Sequence, residues 1–322
     1  MDLNGHRRAM RVLVTGANGF VGSELCRQLA AAGCDCVRAV RKLGAGDVPV
    51  GDIGPETDWR EALAGVEVVV HLASRVHVMN ERHDAADVAF HHINVLGSAA
   101  LARQAQEAGV KRMVYVSSIK ASGEITHGRP MLPDDPPQPE DAYGRSKLAA
   151  ENVLRELCGA SGMELVIVRP PMVVGPGVRG NLPVLMKAIQ RGLPLPLACV
   201  RNRRSLVSVR NLSALLVACA REPEAAGQTY LAAEPEPVST PELVRHLAAG
   251  LGRPARLLPV PVMLLKMAGR LTGRQDQIAR LCSDLELDAS RASALPGWMP
   301  VESLAEALQD SARAFLAKEQ RA

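Results

Sequence analysis

A tyrosine and a lysine four residues apart are the side chains best suited to acid–base chemistry. Tyr143 and Lys147 begin a predicted helix, and their spacing places both on one helix face. An ammonium beside a phenol favours the phenolate, so we expect Lys147 to lower the pKa of Tyr143 towards the useful range for proton transfer. Ser117 and Ser118 end a predicted strand, where a hydroxyl could hold a substrate oxygen against Tyr143.

A glycine-rich segment directly after the first predicted strand could bind the pyrophosphate of a dinucleotide. It runs from Thr15 to Gly22 as Thr-Gly-Ala-Asn-Gly-Phe-Val-Gly and opens a predicted helix. Glycine allows a tight turn and close approach of the backbone to phosphate, whose charge is met by the N–H groups and dipole of the helix N-terminus. Three glycines alone are weak evidence, but their position between strand and helix is the one that this binding mode requires.

Short apolar runs alternate with helical patterns in the first half of the chain, which predicts a parallel sheet flanked by helices. The predicted strands are 11–15, 36–41, 66–71, 112–117 and 164–169. The predicted helices are 19–32, 92–108 and 142–158, and Gly33 and Gly109 suit the left-handed position that ends a helix. The proline-rich segment 129–141 is predicted to be a loop.

The pattern changes beyond about residue 170, where proline and glycine separate shorter elements and 235–298 is mostly helical. We therefore expect residues 1–170 to form a Rossmann-type, doubly wound parallel sheet that binds a dinucleotide. Residues 171–322 are expected to form mainly a smaller, mostly helical substrate-binding domain, with some segments returning to the sheet. Ligands of open parallel sheets bind at the carboxyl edge of the strands, so the two parts would enclose a cleft.

The composition is that of a globular protein and argues against several classes of function. A net charge of +4 with scattered basic residues and 2% aromatics does not favour nucleic acid as a partner. The seven cysteines contain no CxxC pair and no metal-ligand spacing, so we expect no metal site and reduced thiols in a cytoplasm. No run reaches the roughly 18 apolar residues that span a bilayer. The most apolar stretch, 257–271, is predicted to be a packed amphipathic helix.

In combination, these motifs resemble the extended short-chain dehydrogenase/reductase superfamily of NAD-dependent epimerases and dehydratases. The resemblance rests on Thr15-Gly-x-x-Gly-x-x-Gly22, His71-Leu-Ala73, Asn94, Ser117-Ser118, Tyr143-x-x-x-Lys147, Arg169-Pro170 and Gly297-Trp298-Met299-Pro300. Within the superfamily, the chain is similar to bacterial nucleotide-sugar epimerases, dehydratases and 4-ketoreductases of surface polysaccharide and lipopolysaccharide synthesis. The resemblance implies NAD or NADP as cofactor, a nucleotide sugar as substrate, and a homodimer through the helices 92–108 and 142–158.

The resemblance also implies roles for individual residues. Tyr143 would be the general acid/base, Ser118 the catalytic hydroxyl that also touches the substrate, and Lys147 the group that binds the nicotinamide ribose and polarises Tyr143. The residues that it implies at the cofactor are Gly16, Asn18, Gly19, Phe20, Val21, Gly22, Asp52, Ile53, Leu72, Ala73, Ser117 and Pro170. Asn181 and Arg204 would bind the substrate diphosphate, for which the forked guanidinium of arginine is well suited.

Two residues depart from the pattern of the relatives. Arg41 ends the second strand, where many relatives carry an acidic residue that binds the ribose hydroxyls of NAD. A cation there suits the 2′-phosphate of NADP, so NADP is slightly favoured, unless Arg41 faces solvent and NAD binds without the acidic contact. Lys120 stands where several 4-epimerases carry a small hydroxyl residue, and it is either a substrate contact or a solvated lysine at the start of a loop.

The leading hypothesis for function is hydride transfer at carbon 4 of a nucleotide-activated hexose, with Tyr143 exchanging the proton on oxygen. Arg41 favours a 4-ketoreductase that reduces a UDP-4-keto-6-deoxy sugar, because such an enzyme exchanges its cofactor and often uses NADPH. The alternative is a UDP-sugar 4-epimerase, which must retain NAD through two half-reactions. A dehydratase is less favoured, because Ile119 and Lys120 follow Ser118 where dehydratases tend to carry Asp-Glu.

Two further classes stay open. A non-catalytic NADP-binding sensor would usually lose the tyrosine or the lysine, and this chain keeps both. A reductase of steroid or phenolic substrates would be expected to hold more aromatic residues and would have no use for the phosphate contact of Arg204.

Overall fold

The computed structural model describes residues 9–320 except 43, 45, 77–82 and 274. Its strands are β1 (Arg11–Thr15), β2 (Asp35–Val40), β3 (Asp47–Pro49), β4 (Val68–His71), β5 (Arg112–Val116), β6 (Glu164–Arg169), β7 (Met172–Val174), β8 (Leu206–Ser208) and β9 (Thr229–Leu231). Seven of these strands form one parallel sheet in the order β3-β2-β1-β4-β5-β6-β9. The other two, β7 and β8, pair with each other in a separate small sheet.

The helices connect the strands and continue beyond them. They are α1 (Phe20–Ala31), α2 (Arg60–Leu63), α3 (His83–Phe90), α4 (Ser98–Glu107), α5 (Ala142–Ser161), α6 (Asn181–Gln190), α7 (Val209–Arg221), α8 (Thr240–Gly250), α9 (Val262–Leu271), α10 (Gln275–Cys282), α11 (Ser290–Ser293) and α12 (Leu304–Glu319). A π-helix, His91–Gly97, joins α3 to α4, and short 3₁₀ helices span Ile119–Ala121 and Pro223–Ala225.

Helices cover both faces of the main sheet, because successive strand residues point to opposite sides and both sets are apolar. On one face, Val12, Val14 and their counterparts pack against α1 and α7. On the other face, Leu13 and its counterparts pack against α2, α4 and α5. The predicted Rossmann-type, doubly wound parallel sheet is therefore confirmed.

The predicted strands are all present, with ends that differ from the prediction by at most two residues. Gly33 and Gly109 end their helices with φ of 76° and 77°, in the left-handed conformation that favours glycine. β3 was not predicted, because a strand of three residues is too short to show a period of two.

Segments beyond residue 170 contribute to two cores. β9 pairs with β6, and α7 packs on the main sheet, so both complete the dinucleotide-binding fold. A separate core joins α6, α8, α9 and α12. Within it α12 lies closely against α8, because a Cβ on Gly250 would lie only 2.5 Å from the backbone of Gln309. This second core supports the side of the molecule that faces the carboxyl edge of the sheet.

The apolar stretch 257–271 does form a helix, α9, but the prediction that it is packed is wrong for most of its apolar side chains. Leu265 and Gly269 are its only buried residues, whereas four large apolar side chains are exposed. Over the described ranges of the chain, no helix combines the length and the apolar character needed to cross a bilayer.

Candidate functional site

Two loops in tight contact at the carboxyl edge of the sheet bring Ser118 and Tyr143 together. A Cβ at Gly144 would lie only 2.3 Å from the carbonyl oxygen of Lys120, so only glycine lets the start of α5 rest on the turn that follows Ser118. In this arrangement, the hydroxyls of Ser118 and Ser74 lie close enough to the phenol of Tyr143 to act on its pKa. The predicted catalytic pair is thus assembled, together with a serine from the loop after β4.

The pKa of Tyr143 is shifted in the direction opposite to the prediction. Burial disfavours the phenolate and raises the pKa of Tyr143 to about 12, although hydrogen bonds from the two serines act to lower it. Lys147 does not counter this shift, because its Nζ donates to the carbonyl oxygen of Val116 at 2.7 Å and lies 4.6 Å from the centre of the Tyr115 ring. The prediction that Lys147 lowers the pKa of Tyr143 is wrong for this geometry.

Burial also governs the charge of Lys147. It lowers the pKa of Lys147 to about 7, while the carboxylate of Glu151, one helical turn further on, acts in the opposite direction. The side chain of Lys147 is buried away from water, so few polar groups stabilise its ammonium. Any additional oxygen that accepts a hydrogen bond from Nζ would favour the ammonium and raise this pKa.

A buried ion pair connects the segments that carry Ser118 and Tyr143. Arg169 donates from Nε and Nη2 to the two carboxylate oxygens of Glu151, at 2.9 and 2.6 Å, and from Nη1 to Oγ of Ser122 at 3.0 Å. Burial alone would raise the pKa of Glu151, but the hydrogen bonds and charge of Arg169 hold it below its usual value. The pair therefore joins the end of β6 to the middle of α5 and to the turn that carries Ser118.

The two serines at the end of β5 have different surroundings. The side chain of Ser117 is buried beside the carboxylate of Glu151, whereas Ser118 reaches the phenol. Pro170, which was predicted at the cofactor, is buried, and its carbonyl oxygen accepts the N–H that directly follows Ser118, at 3.0 Å. Pro170 thus fixes the turn that carries Ser118.

The glycine-rich loop leads directly into the N-terminus of α1, which is the position predicted for a phosphate site. Gly16 has a φ of 67°, and a Cβ there would lie 3.2 Å from the backbone nitrogen of Ala73. A Cβ at Gly22 would lie 2.2 Å from the carbonyl oxygen of Gly16, so this glycine lets α1 pack closely on the loop. Gly19 begins α1 and offers no side-chain cap, which leaves the first N–H groups of the helix available to an anion.

A buried hydrogen-bond chain ties this loop to the end of β4. Oγ1 of Thr15 accepts the N–H groups of residues 72 and 73, both at 3.1 Å, so its own hydrogen is directed to Nδ1 of His71 at 2.7 Å. Nε2 of His71 then donates to Ser98 at 3.0 Å, and Ser98 donates to the carbonyl oxygen of Asn94 at 2.6 Å. Burial lowers the pKa of His71 to about 3, which keeps the ring neutral and the chain intact.

A cavity of ≈ 910 Å³ opens beside the glycine-rich loop. The predicted cofactor residues that line it are Gly16, Asn18, Gly19, Arg41, Asp52, Ile53 and Ala73. Sequence reasoning missed Trp59, Ser74, Arg75, Ile93 and Arg179, which also line it. Ser74 connects this cavity to Tyr143, and its position directly after the third predicted strand was the available signal. Backbone groups of the glycine-rich loop at one side and Ser74, which adjoins the phenol of Tyr143, at another fit a nicotinamide dinucleotide.

The other eight predicted cofactor residues lie outside the lining of this cavity, namely Phe20, Val21, Gly22, Leu72, Ser117, Tyr143, Lys147 and Pro170. Val21 and Leu72 are partly buried and pack against the core. Phe20 contacts the loop after β7, where its ring approaches the Cβ positions of Gly175 and Gly177 at 3.7 and 3.9 Å. Phe20 therefore links the start of α1 to the part of the chain that follows the dinucleotide fold.

Arg41 lies in the cavity and pairs with another predicted cofactor residue. Its Nε is 2.9 Å from Oδ1 of Asp52, and both side chains are largely exposed. An exposed pair of this kind is weakly held and can open when a ligand enters. Arg41 is thus positioned to offer a cation to the adenosine end of a dinucleotide.

Charged side chains form a cluster at the turn after Ser118. Nζ of Lys120 donates to Glu124 at 2.9 Å and to Asp141, the residue that caps α5, at 2.5 Å. The second carboxylate oxygen of Glu124 is 3.0 Å from Nε of Arg280. Lys120 is therefore not a solvated lysine, since it joins the turn that carries Ser118 to the start of the helix that carries Tyr143.

The two residues implied at the substrate diphosphate have different settings. Arg204 is largely enclosed, which lowers its pKa, and its Nη1 donates to the carbonyl oxygens of Arg280 and Ser283 at 2.9 and 3.1 Å. The charges of Glu124 and Arg280 act on the pKa of Arg204 in opposite directions. Asn181 is exposed at the first residue of α6, next to Gly180 with its φ of 80°. The described residues contain no His, Cys, Asp and Glu cluster that could hold a metal ion.

Comparison with known proteins agrees with this fold and site. Residues 12–233 match the NAD dependent epimerase/dehydratase family, and the chain belongs to that family. The chain is 41% identical over 312 residues to the UDP-glucose 4-epimerase of Vibrio cholerae, with 95% of each chain covered. These matches confirm the resemblance to the extended short-chain dehydrogenase/reductases, and the family is NAD(P)-dependent.

More distant relatives share the same architecture. The chain is 27% identical over 301 residues to the N-acetyl-alpha-D-glucosaminyl-diphospho-ditrans,octacis-undecaprenol 4-epimerase of Escherichia coli O157:H7, covering 87% of this chain and 88% of the relative. The crystal structure of the UDP-glucuronic acid 4-epimerase from Bacillus cereus in complex with NAD superposes with a TM-score of 0.76 at 19% identity. That superposition covers 96% of this chain and 99% of the other.

Proposed function

We propose that the protein is a 4-epimerase of a hexose carried on a nucleoside diphosphate. The observation that carries this proposal is the grouping of Ser74, Tyr143 and Ser118 beside a cavity that Ser74 lines and that suits a nicotinamide dinucleotide. The similarity to the Vibrio cholerae UDP-glucose 4-epimerase supports it over the reductase that the sequence alone favoured. Arg204, beside the charged cluster, is proposed to bind the substrate diphosphate.

In the proposed mechanism, Tyr143 exchanges a proton with the oxygen on carbon 4 of the sugar. Ser118 hydrogen-bonds that oxygen and holds it next to the phenol, at the distance that proton transfer requires. Lys147, whose Nζ donates to the carbonyl oxygen of Val116, would also donate to the ribose of a bound dinucleotide, and that hydrogen bond would favour its ammonium form. A nicotinamide held here would supply the hydride chemistry at carbon 4, which an epimerase needs in both directions.

A 4-ketoreductase that uses NADPH is the second candidate, and Arg41 is the observation that favours it. The guanidinium lies in the cavity, where a 2′-phosphate could displace Asp52 from its exposed ion pair. Both candidates use the same proton donor and the same hydride chemistry. They differ in whether the cofactor stays bound between turnovers.

Identification of the dinucleotide released on denaturing the purified protein tests this proposal. We expect near-stoichiometric NAD, and we expect the undenatured protein to interconvert UDP-glucose and UDP-galactose, or the corresponding N-acetylated pair, without added cofactor. Little bound cofactor, with consumption of NADPH in the presence of a UDP-4-keto-6-deoxy sugar, would instead establish the reductase. A protein that binds neither dinucleotide would overturn both candidates.

Replacement of Arg41 by alanine tests its role at the cofactor. We expect the affinity for NADPH to fall about tenfold while the affinity for NADH changes little, because a charge-assisted hydrogen bond to phosphate contributes about 1.5–3 kcal/mol. The measurement is a fluorescence titration of each reduced cofactor. Lys42, which also lines the cavity, provides the matched control as Lys42→Ala. Equal losses for both cofactors in Arg41→Ala would show that Arg41 does not discriminate between them.

We also propose that the protein acts in a reducing, cytoplasmic compartment, which is supported by its seven free cysteines. The homodimer implied by the resemblance stays a prediction, since a single chain shows no interface.

A further inference from the structure

The outer face of α9 is an exposed apolar surface on a helix that is otherwise well anchored. Met263, Leu264, Met267 and Leu271 are 74%, 53%, 49% and 86% exposed. At about 100° per residue, these four side chains fall within one arc of about 100° around the helix. We call these residues, with the exposed Leu258 that precedes the helix, the α9 face.

The opposite side of α9 fixes this orientation. Leu265 is buried, and a Cβ on Gly269 would lie 2.9 Å from Cγ1 of Ile278, so α9 lies closely against α10. This close packing prevents α9 from rotating about its axis to bury its exposed apolar side chains. A patch of adjacent large apolar residues on a surface marks a site of interaction, whereas isolated ones need no explanation.

The chain segment that contains α9 is basic, although Glu242 precedes it and Asp276 follows it on α10. Residues 243–275 contain the six basic residues Arg245, Arg253, Arg256, Lys266, Arg270 and Arg274 and no acidic residue. The whole chain has 34 acidic residues in 322, which would place three or four in a segment of this length. Lys266 and Arg270 are exposed on α9 itself and border one edge of the apolar arc. An amphipathic helix with this pattern lies in the interface of an anionic bilayer.

We propose that the α9 face docks onto an anionic lipid surface. The methionine and leucine side chains enter the boundary between headgroups and acyl chains, while Lys266 and Arg270 extend their stems to the lipid phosphates. A second copy of the chain is a poorer occupant. In a twofold contact, Lys266 and Arg270 would face their own copies and repel them.

The position of α9 gives this docking a consequence for the site. α10, on which α9 rests, ends where Arg204 donates to the carbonyl oxygens of Arg280 and Ser283. The same Arg280 forms an ion pair with Glu124 in the charged cluster. Docking would therefore hold the proposed diphosphate site near the lipid surface. The docking itself does not depend on the proposed function, because it needs neither cofactor nor substrate.

Sedimentation of the full chain with lipid vesicles tests the proposal. We expect binding to vesicles of phosphatidylcholine mixed with phosphatidylglycerol, weaker binding in raised salt, and little binding to phosphatidylcholine alone. The variant Met263→Ser/Leu264→Ser/Met267→Ser/Leu271→Ser should lose about tenfold or more in vesicle affinity, and Lys266→Glu/Arg270→Glu should lose a similar amount. The matched control is Met299→Ser/Val301→Ser, which removes exposed apolar side chains from a different surface and should bind like the parent.

Three results would overturn the proposal. The first is vesicle binding that the serine variant retains, and the second is an equal loss in the control variant. The third is a change of oligomeric state in the serine variant, measured by light scattering, since the face would then be a contact between copies. Turnover of UDP-glucose by the same variants separates this test from that of the proposed function. If neither the parent protein nor any variant turned over UDP-glucose, the result of the vesicle experiment would still stand.

Discussion

Tyr143→Phe is expected to lower kcat by about 10²–10⁴-fold while dinucleotide affinity stays within about twofold of the parent. The substitution removes the hydroxyl that accepts and returns the substrate proton, but it keeps the ring, which packs 6.0 Å from the Phe90 ring between their centres. Steady-state kinetics give kcat and KM, and a fluorescence titration gives the affinity for the reduced cofactor.

The control for this substitution is Tyr230→Phe, which removes a phenolic hydroxyl from a buried tyrosine of β9 and should leave kcat unchanged. Ser118→Ala should produce a smaller loss than Tyr143→Phe, because the phenol and the neighbouring hydroxyl of Ser74 remain. If Tyr143→Phe kept full turnover, Tyr143 would not be the proton carrier. If no form of the protein turned over any sugar while cofactor binding remained, a sensor would become the better interpretation.

The pH dependence follows from the same surroundings. Burial raises the pKa of Tyr143 to about 12, so the phenol is protonated at neutral pH in the absence of a further cation. Oxidation of the alcohol at carbon 4 needs the phenolate as the base, so kcat/KM for the alcohol substrate should rise with pH over the neutral range. This rise should be absent from the residual activity of Tyr143→Phe.

Glu151→Ala is expected to destabilise the protein by about 3–5 kcal/mol, because it leaves the guanidinium of Arg169 buried without its partner. For a chain of this length, that loss corresponds to a fall in Tm of about 4–8 °C. Differential scanning calorimetry and urea unfolding at neutral pH measure the two quantities. Glu156→Ala, which removes an exposed carboxylate from the same helix, is the matched control and should change stability little.

A double variant identifies the cause of this loss. In Glu151→Leu/Arg169→Met no buried charge is left unpaired, since Arg155, the other partner of Glu151, is 44% exposed, so the double variant should recover a large part of the stability that the single variant loses. A double variant that is no more stable than Glu151→Ala would contradict the explanation, and the hydrogen bond from Arg169 to Ser122 would then carry more of the stability.

The ion pair also predicts the response of the parent protein to acid. The pKa of Glu151 is lower in the folded protein than its usual value, because Arg169 outweighs the effect of burial. Its contribution to stability is therefore complete above the unfolded pKa and is lost as pH falls through the folded pKa. Glu151→Ala should lack this part of the acid sensitivity, which unfolding measured at a series of acidic pH values would show.

Local signals in the sequence were sufficient for the architecture. Short apolar runs and helical hydrophobic patterns predicted the strands and the helix α5 without tertiary information. The need for glycine at positions 16, 19 and 22 could be predicted for the same reason, because it comes from a backbone turn with close contacts to the next helix. The spacing of Tyr143 and Lys147 is likewise a property of one helix.

The charges and contacts of the site, in contrast, depend on segments that are far apart in the chain. Lys147 shares a helix face with Tyr143, yet its ammonium turns to the carbonyl oxygen of Val116 on β5. The pKa of Tyr143 rises because enclosure by other segments disfavours the phenolate, an effect that no spacing within α5 can predict. Ser74 reaches the phenol only because β4 and β5 are neighbours in the sheet.

The exposure of α9 also separates what the sequence predicts from what the tertiary structure decides. Its sequence pattern predicted an amphipathic helix, and the helix is present. The pattern cannot state which side of a helix meets a neighbour, because leucine and methionine occur both in cores and at interaction surfaces. Only the packing of Gly269 against Ile278 decides that the broader apolar arc faces outward. The sequence thus determines which elements form, and the tertiary structure decides which of their side chains are enclosed, charged or free to bind.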